Sequence, residues 1–205
     1  MSAYRIAVFA SGEGSNFQAL AERANAGELG GAEIALLVCD KPSAPVVQRA
    51  ERLGVQAHLF KPKDYDSREA YEREIVHKLE EHRVDLVVLA GYMRLLTPVI
   101  VDKYRGRLIN IHPSLLPAFP GKDAIGQALA YGVKVSGVTV HFVDEGMDTG
   151  PIIAQKALPI VSGETVDSLA QAIHAIEREL YPQVVSWFAK GLVQLDGRQV
   201  TVSNP

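Results

Sequence analysis

The chain has 205 residues, 47% of them hydrophobic, and a net charge of −3. That length and composition suit one domain with an ample core, and the weak negative charge gives no basis for a nucleic-acid or membrane-surface partner. The single cysteine, Cys39, excludes a disulfide framework and a cysteine metal cluster; ending an apolar run, it reads as a small core residue. No apolar run reaches the roughly 18 residues of a membrane span. No signal peptide precedes the first apolar run, so a cytoplasmic protein is expected.

Residues 5–10 (Arg-Ile-Ala-Val-Phe-Ala) have the pattern of a strand covered on both faces. Ser11-Gly-Glu-Gly-Ser-Asn16 follows, then Phe17, Leu20, Ala21 and Ala24 at helical spacing. Strand, glycine-rich turn and helix is the order that cradles phosphate. Gly12 and Gly14 let the backbone approach, and N–H groups at the helix start, around Ser15 and Asn16, face the anion. The spacing completes neither a dinucleotide fingerprint nor a Walker loop. The alternative is a tight turn capped by Ser15 or Asn16. Glu13 fits an anion site only if its carboxylate points outward.

Residues 34–39 predict a second strand, and Pro45 opens a helix that runs to Leu53 and is closed by Gly54. Residues 55–60 read as a short third strand. Asp66-Ser-Arg-Glu69 has a capping-box pattern and opens a helix to about His82. Arg68 lies in its first turn, where the helix dipole disfavours a cation, so it either serves a ligand or is merely exposed. His77 and His82 fit the polar surface of this helix. Residues 85–90 form a fourth buried strand. Gly91-Tyr-Met-Arg94 is a loop at its carboxyl end, with a helix from about Pro98. This alternation predicts an α/β, doubly wound, mostly parallel, Rossmann-like sheet.

Leu108, Ile109 and Ile111 mark a further strand, stopped by Pro113 and Pro117. Asn110 and His112 are two apart, so an extended chain presents an amide and an imidazole on one face. They stand at a strand's carboxyl end, where open α/β sheets bind ligands. A satisfied Asn and His at a buried strand end would show the same spacing. After Gly121 the pattern changes. Residues 124–130 suggest a short helix, and residues 133–143 and 151–160 two strands paired across the acidic loop 144–150, so antiparallel strands are expected in this half. Helix 165–190 carries Val166, Leu169, Ile173, Ile176 and Leu180 on one face, and Pro182 should kink or divide it. Residues 192–202 read as a hairpin around Asp196-Gly197. Asp144, Glu145 and Asp148 lack EF-hand spacing. They are either a solvated acidic turn, or Asp148 meets His112, where a carboxylate fixes the ring's tautomer and stabilises its cation. His141 lines the same cleft or sits satisfied in the sheet.

Asn110-x-His112-Pro-Ser-Leu-Leu-Pro117 with Asp148-x-Gly150-Pro151 resembles the folate-dependent formyltransferases. Ser11-Gly-x-Gly-Ser-Asn16, Gly91-Tyr-Met-Arg94, His141-Phe-Val and Glu177 with Tyr181-Pro182 narrow the likeness to those that act on glycinamide ribonucleotide, over residues 5–189. The resemblance implies transfer of a formyl group from 10-formyltetrahydrofolate, a co-substrate, to the amino group of that ribonucleotide, with no metal and no ATP. It implies Asn110, His112 and Asp148 as the catalytic set. Gly12, Glu13, Gly14, Ser15, Asn16 and Glu177 would hold the ribonucleotide, in a nucleotide-binding half spanning about residues 1–105 with Glu177 added from beyond it. Arg68, Leu89, Met93, Arg94, Leu95, Leu96, Asn110, Val143, Asp144 and Glu145 would hold the folate, with residues 106–190 supplying the catalytic half. Two positions depart from the family pattern: Glu13, where a small or neutral residue is expected, and Asp123, where a His often follows Pro-Gly. A monomer or homodimer is expected, with small-molecule partners only. Hydrolysis of 10-formyltetrahydrofolate by the same three residues is the alternative; the relatives that do this carry an extra N-terminal domain, and residues 3–10 already make a first strand.

The residue types suit acyl transfer on their own terms. An amine attacking a formamide-like carbon creates an oxyanion, which Asn110 and a protonated His112 can both serve as donors. Asp148 can relay the proton that leaves the amine.

Overall fold

The computed structural model describes residues 3–204. Seven strands form one sheet in the order β3-β2-β1-β4-β5-β6-β7. β1 (Tyr4–Ala10), β2 (Ala32–Cys39), β3 (Ala57–Leu59), β4 (Leu86–Leu89) and β5 (Leu108–His112) are parallel. β6 (Val135–Phe142) and β7 (Ile152–Pro159) complete the sheet antiparallel. This is the doubly wound sheet with an antiparallel end that the pattern of strands and helices predicts. β8 (Val193–Asp196) and β9 (Gln199–Val202) make the expected hairpin. Among the described residues no helix is long and apolar enough to cross a membrane.

Strand alternation builds the two helical layers. Ile6, Val8 and Ala10 pack with Phe17 and Leu20 of α1 (Ser15–Asn25), Val46 of α2 (Pro45–Arg52) and Leu169, Ile173 and Val184 of α6 (Val166–Ala189). Ala7 and Phe9 face the other way, onto Tyr71, Ile75 and Leu79 of α3 (Arg68–Glu81) and Ile100 and Val101 of α4 (Pro98–Lys103). Fully burying one such large apolar side chain is worth roughly 1.5–3 kcal/mol, so both layers hold the sheet strongly. The second layer reaches only as far as Leu108 of β5. Beyond it, the same face of the sheet carries Asn110 and His112, with His141 and Thr139 paired directly opposite them on β6. A polar cleft begins where the apolar layer ends.

Local expectations are corrected at several points. α1 is entered through Gly14 in the left-handed conformation at φ 74°, with no side-chain cap from Ser15 or Asn16. The cap of α3 is Ser67, not Asp66; its hydroxyl accepts from the Ala70 N–H at 3.1 Å. Pro182 does not divide α6, which stays one helix of 24 residues. A proline inside a helix costs about 3 kcal/mol. Here burial of Leu180, Tyr181, Val184 and Val185 on either side outweighs that cost. The Tyr181 hydroxyl also donates to the Leu89 carbonyl at 2.7 Å, tying the helix to the end of β4.

Candidate active site

The cleft gathers Asn110, His112, His141 and Asp148 from three segments. Three of them, His112, His141 and Asp148, are each tied by a short bond on the outer side. His112 Nε2 lies 2.8 Å from the Phe119 carbonyl, and His141 Nδ1 lies 2.7 Å from the Phe142 carbonyl. A carbonyl can only accept, so both nitrogens carry hydrogen. Asp148 Oδ2 accepts from the Gly121 N–H at 2.7 Å. Toward one another the groups are slack. His112 Nδ1 to Asp148 Oδ2 is 3.4 Å, His141 Nε2 to Asp148 Oδ1 is 3.6 Å, and Asn110 Nδ2 to His141 Nε2 is 3.4 Å. Separations of this size leave the inward donors free to turn to a reacting atom. Asp148 thus meets His112 as expected, and of the two readings of His141 the structure favours the cleft.

Asp148 is held ionised. Burial by itself would push its carboxyl up, but the neighbouring His141 side chain, the Gly121 N–H and the charges of His112 and His141 together bring it below the usual aspartate range. Its backbone is left-handed at φ 55°, a conformation that Asp and Asn tolerate better than other non-glycine residues. Gly150 explains the Asp-x-Gly-Pro spacing: a Cβ there would lie 1.8 Å from the Phe142 carbonyl oxygen. The rest of the acidic loop is internally satisfied. Asp144 Oδ1 accepts from the Gly146 N–H at 3.1 Å and the Thr149 hydroxyl at 2.6 Å, while Glu145 pairs with Arg105.

Sequence reasoning missed the support behind His112. The fully buried Thr139 hydroxyl donates to the Ser114 carbonyl at 2.7 Å and accepts from the Leu116 N–H at 3.0 Å. Gln155 Nε2 adds a bond to the Leu116 carbonyl at 2.9 Å. The alternation of β6, which sets Thr139 two residues from His141, was the available signal. Asp123, the departure after Pro-Gly, caps α5 (Ala124–Tyr131) through the Gly126 N–H at 3.2 Å.

A second group of candidate residues gathers past the carboxyl ends of β1 and β4. With no side-chain cap, the first N–H groups of α1 are free to face a ligand. Gly14 is fixed by the fold itself, since a Cβ would come within 2.4 Å of Val46 Cγ2; a Cβ on Gly12 would meet nothing within 4 Å. The Glu13 side chain is 78% exposed and lies beside Arg49, so its carboxylate points away. Asn16 Nδ2 donates to Glu177 Oε2 at 3.0 Å, joining α1 to α6. Burial raises the Glu177 carboxyl above its usual value, against the Asn16 bond and the charges of His174 and Arg178.

Of the remaining predicted residues, Leu89 is buried at the end of β4, Leu96 and Val143 pack partly buried against the second layer, and Met93 and Leu95 stand exposed. Arg94 turns under its loop to Asp40, and Arg68 is exposed at the start of α3. A separate cavity of about 520 Å³, lined by Arg23, Trp187 and Lys190 among others, includes none of these residues.

Residues 4–185 match the family model described as Formyl transferase. The chain belongs to the formyl transferase family. Among members of this formyl transferase family, it is 52% identical over 194 residues to the phosphoribosylglycinamide formyltransferase of Bacillus subtilis, covering 95% of this chain and 97% of that one. The crystal structure of glycinamide ribonucleotide transformylase 1 from Geobacillus kaustophilus is 55% identical with a TM-score of 0.89, over 92% of this chain and all of that one. The corresponding structure from Symbiobacterium toebii is 43% identical with a TM-score of 0.95, over 98% of this chain and 95% of that one.

Proposed function

We propose that this formyl transferase moves the formyl group of 10-formyltetrahydrofolate to the amino group of glycinamide ribonucleotide, yielding formylglycinamide ribonucleotide and tetrahydrofolate in purine synthesis. The observation that carries the reading is the pairing of two groups of residues on neighbouring strands of one sheet. One offers backbone N–H groups and Glu177, suited to a phosphate and ribose hydroxyls. The other offers Asn110, His112 and Asp148. High identity to proteins named for this activity, over nearly their whole length, supports the choice of substrate.

The chemistry follows from the geometry. The ribonucleotide phosphate sits against Gly12–Asn16 at the start of α1, and its ribose reaches Glu177. The folate lies along Leu89, Met93–Leu96 and Val143–Glu145, with Arg68 at the exposed end. The amine attacks the formyl carbon, and the new oxyanion takes hydrogen bonds from Asn110 Nδ2 and His112 Nδ1–H. One such donor is worth roughly 3 kcal/mol in the transition state. With Nε2–H held by Phe119, Nδ1 is the nitrogen that serves the reaction, and Asp148 stands beside it. Asp148 accepts the amine's proton, directly or through water, and a proton then passes to the departing folate nitrogen. Because the formyl group arrives activated on folate, the reaction draws on neither ATP nor a metal ion. The partners are small molecules in the cytoplasm.

The test is an assay with 10-formyltetrahydrofolate, with and without glycinamide ribonucleotide, in the presence of a chelator. The expected result is deformylation that requires the ribonucleotide and survives chelation. Equal deformylation without it would make the protein a hydrolase of 10-formyltetrahydrofolate. Strict dependence on ATP or magnesium would overturn the one-step transfer.

A further inference from the structure

The loop after β4 is fastened from beneath. The Ser11 N–H donates to the Gly91 carbonyl at 3.1 Å, and the Ser11 hydroxyl accepts from the Met93 N–H at 3.0 Å. At the far end, the fully buried Glu72 accepts from the Thr97 N–H at 2.9 Å and from its hydroxyl at 2.6 Å. Between these points, Arg94 Nε donates to Asp40 Oδ2 at 2.7 Å. The Asp40 side chain is 0% exposed, whereas that of Arg94 is 39% exposed. Among the described residues no other side chain bonds to Asp40, and its second oxygen is buried without a partner. A buried carboxylate is costly unless a cation compensates it. The compensating cation here belongs to the loop, so the loop is drawn down onto the end of β2. Above it, Met93 and Leu95 are 68% and 56% exposed. Their apolar side chains stay in water because the polar groups of the loop are engaged below.

We propose that Asp40 is a positioning residue for the folate subsite, holding residues 91–96 through Arg94 in the form that presents Met93 and Leu95 before folate arrives. The identity of the ligand rests on the formyl-transfer reading above. Asp40 touches neither substrate. Its effect is to remove the ordering cost that a slack loop would charge against binding. Arg94 is thereby reassigned: its guanidinium is engaged under the loop, and what it gives the folate is a shaped backbone.

Asp40→Asn, Arg94→Gln and the double variant test this, each with a thermal melt, kcat and KM for both substrates. Each single change should raise the folate KM about tenfold while leaving kcat and the ribonucleotide KM within about twofold. The double variant should be no worse than the poorer single one, because both changes break one contact. A folded Asp40→Asn with an unchanged folate KM overturns the proposal, as does an equal rise in both KM values or a multiplied effect in the double variant. Should Asp40→Asn fail to fold, Arg94→Gln breaks the contact from its exposed end and is judged by the same criteria. Calorimetric titration with tetrahydrofolate reads the subsite without turnover. A wild-type protein that binds tetrahydrofolate but formylates no ribonucleotide overturns the assigned reaction and leaves this test standing; one that binds none overturns both.

Discussion

Between β1 and β4 the site is built from backbone; between β5 and β6 it is built from side chains. β1 and β4 are parallel and covered on both faces, so Ile6–Ala10 and Leu86–Leu89 are apolar throughout, and polar function starts only past their carboxyl ends, at Ser11 and Gly91. β5 and β6 are antiparallel and stand where the second helical layer has run out. Their open face can carry Asn110, His112 and His141 within the strands themselves. Binding by backbone N–H groups needs a bare turn and a helix start, which a βα crossover supplies. Proton transfer needs titratable side chains held at fixed separations, which His112 and His141 on paired strands supply with Asp148 from the loop after β6.

The sharpest way to break this division is Asp148→Asn. Asn tolerates the left-handed backbone at this position and can keep the bond from Gly121, so the melt should hardly move. kcat should fall by at least about 100-fold, because the proton acceptor and the partner of the His112 cation go together. A normal melt with near-native kcat would remove Asp148 from the chemistry.

On the binding side, Gly12→Val should raise the ribonucleotide KM about tenfold with kcat and melt little changed, since no protein atom opposes a side chain there. Gly14→Val is the contrasting control. Its backbone is left-handed and Val46 blocks the space, so it should lower the melt sharply. A large kcat loss for Gly12→Val at saturating ribonucleotide would mean that the two regions are not separable.

The smallest expected effect is on stability against pH, and its sign differs between the regions. The carboxyl of Asp148 is held low, so its stabilising contribution is present above the unfolded value of about 4 and lost as pH falls through the folded value. That of Glu177 is raised by burial, so its contribution is full below about pH 4 and lost as pH rises through the folded value. Melts across pH should therefore lose their acid slope in Asp148→Asn and the opposite slope in Glu177→Gln. A change of the same sign in both variants would refute the assignment.

Much of this was legible in the chain because it is local. The β1–turn–α1 order, the two-residue spacing of Asn110 and His112, and the proline stops after them each report on a few neighbouring residues. The cap of α3 was misread by one residue because Asp66 and Ser67 are both good caps, and local pattern does not choose between them. What stayed hidden depends on sheet order. His141 enters the cleft only because β6 pairs with β5 in one register. Arg94 finds Asp40 only because β2 and β4 flank β1. The Phe119 carbonyl that orients His112 is a backbone group, and no residue type announces it.

Ser11 is one residue with two neighbours that matter: it opens the turn proposed for the ribonucleotide and is bonded twice to the loop proposed for the folate. Stiffness imposed on either segment has a direct mechanical path to the other, through two hydrogen bonds that both belong to Ser11, one from its backbone and one to its hydroxyl. Any cooperativity that results is bound by linkage to be reciprocal: if ribonucleotide tightens folate binding by some factor, folate tightens ribonucleotide binding by the same factor. The order in which the two arrive then changes the path and not the affinity of the completed complex.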